Sequence, residues 1–106
     1  MLQEITTKKF KKDVKKVNSQ GKDLDKLKTV VDTLKNGETL EEKYKDHNLQ
    51  GKYSGCRECH ILPDWLLIYR TDTINLYLLR TGSHTELFED YSEIAMLNKE
   101  LDKLLD

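Results

Sequence analysis

Trp65-Leu66-Leu67-Ile68-Tyr69, followed across Thr71-Asp72-Thr73 by Ile74-Asn75-Leu76-Tyr77-Leu78-Leu79, is the stretch that decides the fold. Both runs are too short for helices and rich in the aromatic and branched side chains that suit strands, while the polar triplet between them suits a corner. Together they make a β-hairpin. Upstream, Cys56 to Leu62 reaches it through Pro63-Asp64, a pair fitted to a tight turn because proline presets its φ and aspartate tolerates the corner. The reading is three consecutive antiparallel strands.

Outward from the hairpin, the period changes to that of helices. Phe10, Val14 and Val17, spaced by four and three, draw one apolar stripe on a lysine-rich helix from about Thr7 to Ser19, which Gly21 ends. Leu24, Leu27, Val30, Val31 and Leu34 repeat the spacing, and Asn36-Gly37 supplies the left-handed residue that closes many helices. Beyond the hairpin, Leu87, Tyr91, Ile94, Leu97, Leu101 and Leu104 describe an amphipathic helix with its acidic residues on the other face. The expected fold class is α/β of the α+β kind: two N-terminal helices packed on one face of a small twisted antiparallel sheet, plus a C-terminal amphipathic helix. Residues 1–88 form the domain, and 89–106 are an acidic helical extension of it.

At 106 residues the chain has room for one domain. Leu, Ile, Val and Phe together make up about 26% of it, above the ~20% below which chains tend to stay disordered. No stretch approaches the ~18 consecutive apolar residues of a membrane span, and Met1 to Phe10 has no apolar signal core. The expectation is a soluble cytoplasmic protein with no membrane partner. Two cysteines make no disulfide framework, which agrees with a reducing compartment. The net charge of -1 divides unevenly: +4 over residues 1–85 and -5 over 86–106. The densest basic patch, Lys8, Lys9, Lys11, Lys12, Lys15 and Lys16, suits either a solvated helix face or phosphate contact.

The chemistry gathers at one end of the strands. With the corner centred on Asp72 and Thr73, Tyr69 faces Leu76, Asp64 faces Thr81 and Arg80 lies opposite Trp65. His60, Asp64, Arg80 and His84 then converge. Two imidazoles beside a carboxylate can take one proton and give another near neutral pH, and a guanidinium can stabilise a pentavalent phosphorus. That is the equipment for cleaving RNA through its own 2′-hydroxyl. For Arg80, phosphate binding and an ion pair with Asp64 are both open readings.

Two competing chemistries are set aside. Zinc would need ligands from the three histidines and Asp64, whose spacings match no helical i, i+4 pair or cysteine knuckle, so no metal site is expected. Cys56-Arg57-Glu58-Cys59-His60 has the string of a c-type haem attachment site. On a strand, however, Cys56, Glu58 and His60 point one way and Arg57 and Cys59 the other, so both thiols cannot grip one haem. Neither haem nor any other cofactor is expected.

Tyr44-Lys45-Asp46-His47-Asn48-Leu49-Gln50-Gly51, then Cys59 to Tyr69 with His60-Ile61-Leu62-Pro63-Asp64-Trp65, then Arg80-Thr81-Gly82-Ser83-His84 and Leu87-Phe88, occur in order. In these motifs the chain resembles the YafQ branch of the RelE-like toxins over most of residues 1–88. The resemblance implies a cytoplasmic toxin of a bacterial type II toxin-antitoxin system: a metal-independent endoribonuclease that cuts messenger RNA in the ribosomal A site. It implies three partners, namely a cognate protein antitoxin, ribosomal RNA and messenger RNA. Position by position, it carries the family's acid-base residues to His47, His60, Asp64 and His84, and an RNA-contacting aromatic to Phe88. Trp65 and Arg80 match positions near that site and are expected to contact RNA. The alternative is a noncatalytic binding protein of the same fold that keeps its antitoxin or ribosome binding. Cys56 and Cys59 depart from the family pattern, as does the chain beyond Phe88.

Overall fold

The computed structural model describes residues 1–88 and 91–105, with the side chains of 88, 91–93, 104 and 105 outside that description. Phe88 as an RNA contact, and Tyr91 and Leu104 as members of the apolar stripe, fall on those side chains. Five strands and four α-helices follow in order: β1 (Gln3–Thr6), α1 (Lys8–Ser19), α2 (Leu24–Lys35), β2 (His47–Asn48), β3 (Arg57–Leu62), β4 (Trp65–Thr71), β5 (Asn75–Gly82), α3 (His84–Phe88) and α4 (Tyr91–Leu105). The sheet runs β1-β5-β4-β3-β2. The mixed α+β architecture, with its two N-terminal helices and consecutive β3-β4-β5, matches the sequence expectation.

The sheet is not wholly antiparallel. β1 pairs parallel with β5, Ile5 opposite Tyr77, and the remaining neighbours are antiparallel. Gln3-Glu4-Ile5-Thr6 lacks an apolar run because it is an edge strand with mostly exposed side chains. Thr7 joins it to α1: its Oγ1 accepts from Phe10 N (3.0 Å) as the helix cap and donates to the Leu79 carbonyl (2.9 Å).

Alternate residues of β4 enter two different cores. Trp65, Leu67 and Tyr69 join Cys59, Leu76 and Leu78 beneath α1 and α2, against Phe10, Val17, Leu27 and Val30. Leu66 and Ile68 face the other way with Cys56, Tyr77 and Leu79, under Leu87, Ile94 and Leu101. A strand covered on both faces has no polar side to show, which is why Trp65–Tyr69 reads as an unbroken apolar run. Each fully buried leucine here contributes about 1.5–3 kcal/mol. α4 is fastened by polar contacts as well. Arg70 Nη1 donates to Asn98 Oδ1 (2.5 Å) and meets Asp102 (2.7 Å), while Asn98 Nδ2 donates to the Ser54 carbonyl (2.9 Å).

The hairpin register differs from the sequence expectation. Thr71 pairs with Leu76, Tyr69 with Leu78 and Ile68 with Arg80, and a bulge lies between Ile68 and Tyr69. Asp72 lengthens the corner because its Oδ1 accepts from both Ile74 N (2.8 Å) and Asn75 N (2.6 Å), moving the pairing out by two residues. The bulge then adds one more. Consequently Arg80 is not opposite Trp65, and Leu67 rather than Asp64 faces Thr81.

Candidate active site

The imidazoles of His60 and His84 meet at one end of the sheet, their ring centroids 5.4 Å apart and inclined by 50°. Different elements deliver them: His60 comes from β3, across from Leu66, and His84 opens α3 just after β5. Ser83 and Glu86 set that helix start, Ser83 Oγ donating to Glu86 Oε1 (2.9 Å) and accepting from Glu86 N (3.2 Å). Asp64, exposed on the β3-β4 turn, lies against His84, with Oδ1 3.5 Å from Nδ1 and 3.3 Å from the backbone N. His60, Asp64 and His84 thus form the expected cluster.

His47 comes to the same place through β2, where it pairs directly with Glu58 of β3. Glu58 is the residue that sequence reasoning passed over. Its carboxylate is buried, with Oε1 3.6 Å from His47 Nε2 and 4.0 Å from His60 Nε2. Strand alternation had put Glu58 and His60 on one face, and that signal was sufficient to nominate it. Two carbonyls orient the rings. His47 Nδ1 lies 2.8 Å from the Lys45 oxygen and His60 Nδ1 3.3 Å from the Pro63 oxygen. A carbonyl only accepts, so both rings present an Nδ1–H to it, and their Nε2 atoms face Glu58.

Behind β2 and β3, on the opposite side of the strands, a second polar group holds the frame. Asp46 accepts from Tyr69 Oη (2.6 Å) and from Arg57 Nε (3.2 Å) and Nη2 (3.1 Å), while Arg57 Nη1 donates to Asn48 Oδ1 (2.6 Å). The Arg57 guanidinium is held charged above its ordinary range by Asp46, and burial pushes the Tyr69 hydroxyl up so that it stays a donor. Residues 46–48 are therefore clamped on both sides of His47.

Trp65 and Arg80 are corrected by the structure. Trp65 is 1% exposed and donates its indole N–H to Thr81 Oγ1 (2.9 Å), so it packs the core rather than offering a face to RNA. The ion pair expected between Arg80 and Asp64 is made with Asp13 of α1, Nε to Oδ2 at 2.6 Å and Nη2 to Oδ1 at 3.1 Å, and Thr81 N also donates to Asp13. Arg80 follows Leu76 and Leu78 on the face of β5 that α1 covers. Arg80 does line a basic groove with Lys9, Lys12 and Lys16.

Cys56 and Cys59 lie in separate cores, each fully buried. Burial pushes their thiols up to about 11 and about 12, so both remain protonated at neutral pH. They form neither a redox pair nor a haem grip.

A sequence profile of the bacterial YafQ toxins of type II toxin-antitoxin systems matches residues 2–89. This chain belongs to the YafQ toxin family. The mRNA interferase toxin YafQ of Escherichia coli K12 is 44% identical over 80 residues, 74% of this chain and 87% of that protein. A copper-bound mutant toxin from Helicobacter pylori superposes with a TM-score of 0.80 at 44% identity, covering 82% of this chain and 99% of that one. YafQ in the E. coli DinJ-YafQ toxin-antitoxin complex gives 0.78 at 40% identity, covering 82% and 97%. The YafQ profile stops short of α4, which begins at Tyr91.

The copper in that YafQ relative raises the question of whether this chain has donors for a metal. It does: one donor atom each from Glu58, His60 and His84 lies within 4.8 Å of the others. Two imidazoles and a carboxylate are a metal-binding set. The sequence missed it because the three come from two separated elements with no motif spacing. No helix among the described residues is long and apolar enough to cross a membrane.

Proposed function

We propose that this chain is an mRNA interferase toxin, an endoribonuclease that cleaves messenger RNA in the ribosomal A site and is restrained in the cytoplasm by a cognate protein antitoxin. The observation that carries the reading is the convergence of His47, Glu58, His60 and His84, with Asp64, in a chain 44% identical to a protein named for that activity. The DinJ complex of the E. coli relative supports an antitoxin partner.

In the proposed mechanism, His60 takes the proton of the 2′-hydroxyl on Nε2, backed by the Glu58 carboxylate 4.0 Å away. The 2′-oxygen bonds to phosphorus as the bond from phosphorus to the 5′-oxygen breaks. His84, as imidazolium stabilised by Asp64 at 3.5 Å, gives its proton to the departing oxygen. The products are a 2′,3′-cyclic phosphate and a 5′-hydroxyl end. His47 shares Glu58 and helps orient that carboxylate. Arg80, secured by Asp13 in the lysine groove, presents positive charge to RNA phosphates. A bound transition metal would be held by Glu58, His60 and His84 and would supply Lewis acidity, but each proton step here is carried by side chains.

The test is cleavage of a translated message on purified ribosomes, with a chelator that removes transition metals and spares Mg²⁺. Unchanged cleavage, ending in a cyclic phosphate, is expected. Cleavage abolished by the chelator overturns the metal-independent steps, and an intact message overturns the activity.

A further inference from the structure

A groove of about 580 Å³ opens beside the histidines, between Lys26 of α2, the segment Lys43-Tyr44-Lys45 and the β3-β4 turn from His60 to Pro63. Its chemistry is of two kinds. Three lysines project into it, and none of the described residues lining it is a carboxylate. Between them stand Tyr44, Ile61, Leu62 and Pro63, and Leu62 is 41% exposed. Lys43 Nζ lies over the Tyr44 ring, 5.1 Å from its centre, so one face of the ring carries an ammonium.

The backbone adds an independent observation. Lys45 has φ 49° and is the one non-glycine residue in the left-handed region among those described. Strain of that kind persists where the surroundings over-determine it, commonly at functional sites. Here the same residue points its carbonyl at His47 Nδ1 (2.8 Å) and contributes to the lining of the groove. The turn that orients a site imidazole therefore also helps to build the cavity. His60 belongs to both, lining the groove while its ring stacks towards His84.

Flat apolar walls beside cations, with no anion to repel a phosphate, fit single-stranded RNA: bases stack on aromatic faces and backbone phosphates meet ammonium groups. We propose that this groove holds the nucleotide next to the scissile phosphate, with its base against Tyr44 and Pro63 and its phosphate among the groove lysines, Lys26 and Lys43 foremost. This rests on the RNA-cleaving reading and adds to it a subsite and a strand for that subsite to hold. An acidic peptide would satisfy the lysines too, but the shared His60 makes the groove continuous with the place where RNA is cut, so RNA is favoured.

Two measurements on the full chain test it. The first is single-turnover cleavage on programmed ribosomes by the double variant Lys26→Glu with Lys43→Glu, with Lys99→Glu, an exposed lysine of α4, as control. The half-saturating concentration of toxin should rise about tenfold, with the maximal rate within about twofold of wild type and the affinity for message-free ribosomes unchanged. Wild-type behaviour of the double variant overturns the inference. So does an equal loss of affinity for message-free ribosomes, which assigns the lysines to ribosomal RNA.

The second measurement needs no cleavage. A message carrying 4-thiouridine beside the cut position is crosslinked on the ribosome to the His84→Ala protein, and the modified peptide is identified. A crosslink within residues 43–45 is expected. Crosslinks only elsewhere reject the subsite, and if crosslinking fails in His84→Ala but an antitoxin peptide labels the same segment, the groove belongs to the antitoxin. Failure of wild-type cleavage alongside a crosslink at 43–45 breaks the catalytic reading and leaves the subsite standing.

Discussion

Residues 46 and 47, and again 57 and 58, are neighbours in the chain but belong to opposite worlds. Asp46 and Arg57 face the side of α1 and α2, where Asp46, Arg57 and Tyr69 join through contacts of 2.6–3.3 Å. Asp13, Arg80 and Thr81 do the same nearby, at 2.6–3.1 Å. His47 and Glu58 face the other way, where the ionisable groups stand 3.5–4.0 Å apart. Short bonds between fully matched donors and acceptors lock a backbone. The site groups stand further apart than those of the helix-side frame. Side-chain alternation lets two adjacent residues serve these two ends at once.

The contrast is broken or sharpened by substitution. His84→Ala and His60→Ala should each lower the cleavage rate by about 10²- to 10⁴-fold while the thermal midpoint stays near that of wild type. A message with sulfur in place of the bridging 5′-oxygen needs no proton on its leaving group, so it should restore cleavage to His84→Ala and not to His60→Ala. Restoration in both, or in neither, removes the assigned roles. Asp13→Ala strands a buried guanidinium and should cost about 3–5 kcal/mol in denaturant unfolding. A loss below 1 kcal/mol would show that the short contacts on the helix side are not what holds it. Asp46→Asn, at a partly exposed site, should cost only about 1–2 kcal/mol and also slow cleavage modestly, because β2 carries His47. Slowed cleavage with unchanged stability would merge the two sides of the comparison into one.

The smallest effect belongs to the hairpin corner. Backbone N–H groups of Ile74, then of Asn75, hold the Asp72 carboxyl below its ordinary value of 3.8. A depressed carboxyl stabilises the fold above its unfolded value and loses that contribution as pH falls through the folded one. Asp72→Asn should therefore melt slightly below wild type at neutral pH, and the gap should close in acid below about pH 3.8. A gap that widens in acid would contradict the assignment of Asp72 as a charged acceptor.

Much of this arrangement is legible in the sequence, for identifiable reasons. α1 and α2 announce themselves by apolar spacing, and β4 and β5 by short branched runs. His60, Asp64 and His84 were brought together by simple hairpin counting even though the register was off. The grouping survived because the β3-β4 turn and the start of α3 lie at the same end of the sheet in either register. Other features have no such signature. β1 is four residues with little apolar content, and what holds it is a backbone ladder to a strand some seventy residues later. Arg80 meets Asp13 because it continues the Leu76 and Leu78 face of β5 that α1 covers, and nothing in the spacing says which helix residue lies above it. Glu58 and the Ser83/Glu86 helix start were readable, the first from strand parity and the second from its S-x-x-E spacing, but the histidines drew the argument past both.

The parallel pairing of β1 with β5 sets the order in which the molecule can be completed. The first strand to be synthesised waits for Asn75–Gly82 before it has a partner, and the hydroxyl of Thr7 waits for the carbonyl of Leu79. Closing that span is slow compared with forming α1 or α2, because the intervening loop entropy must be surrendered before any ladder bond returns it. A nascent chain cut off before Asn75 lacks the partner of its outer edge strand, and one cut off before His84 lacks half of its paired imidazoles.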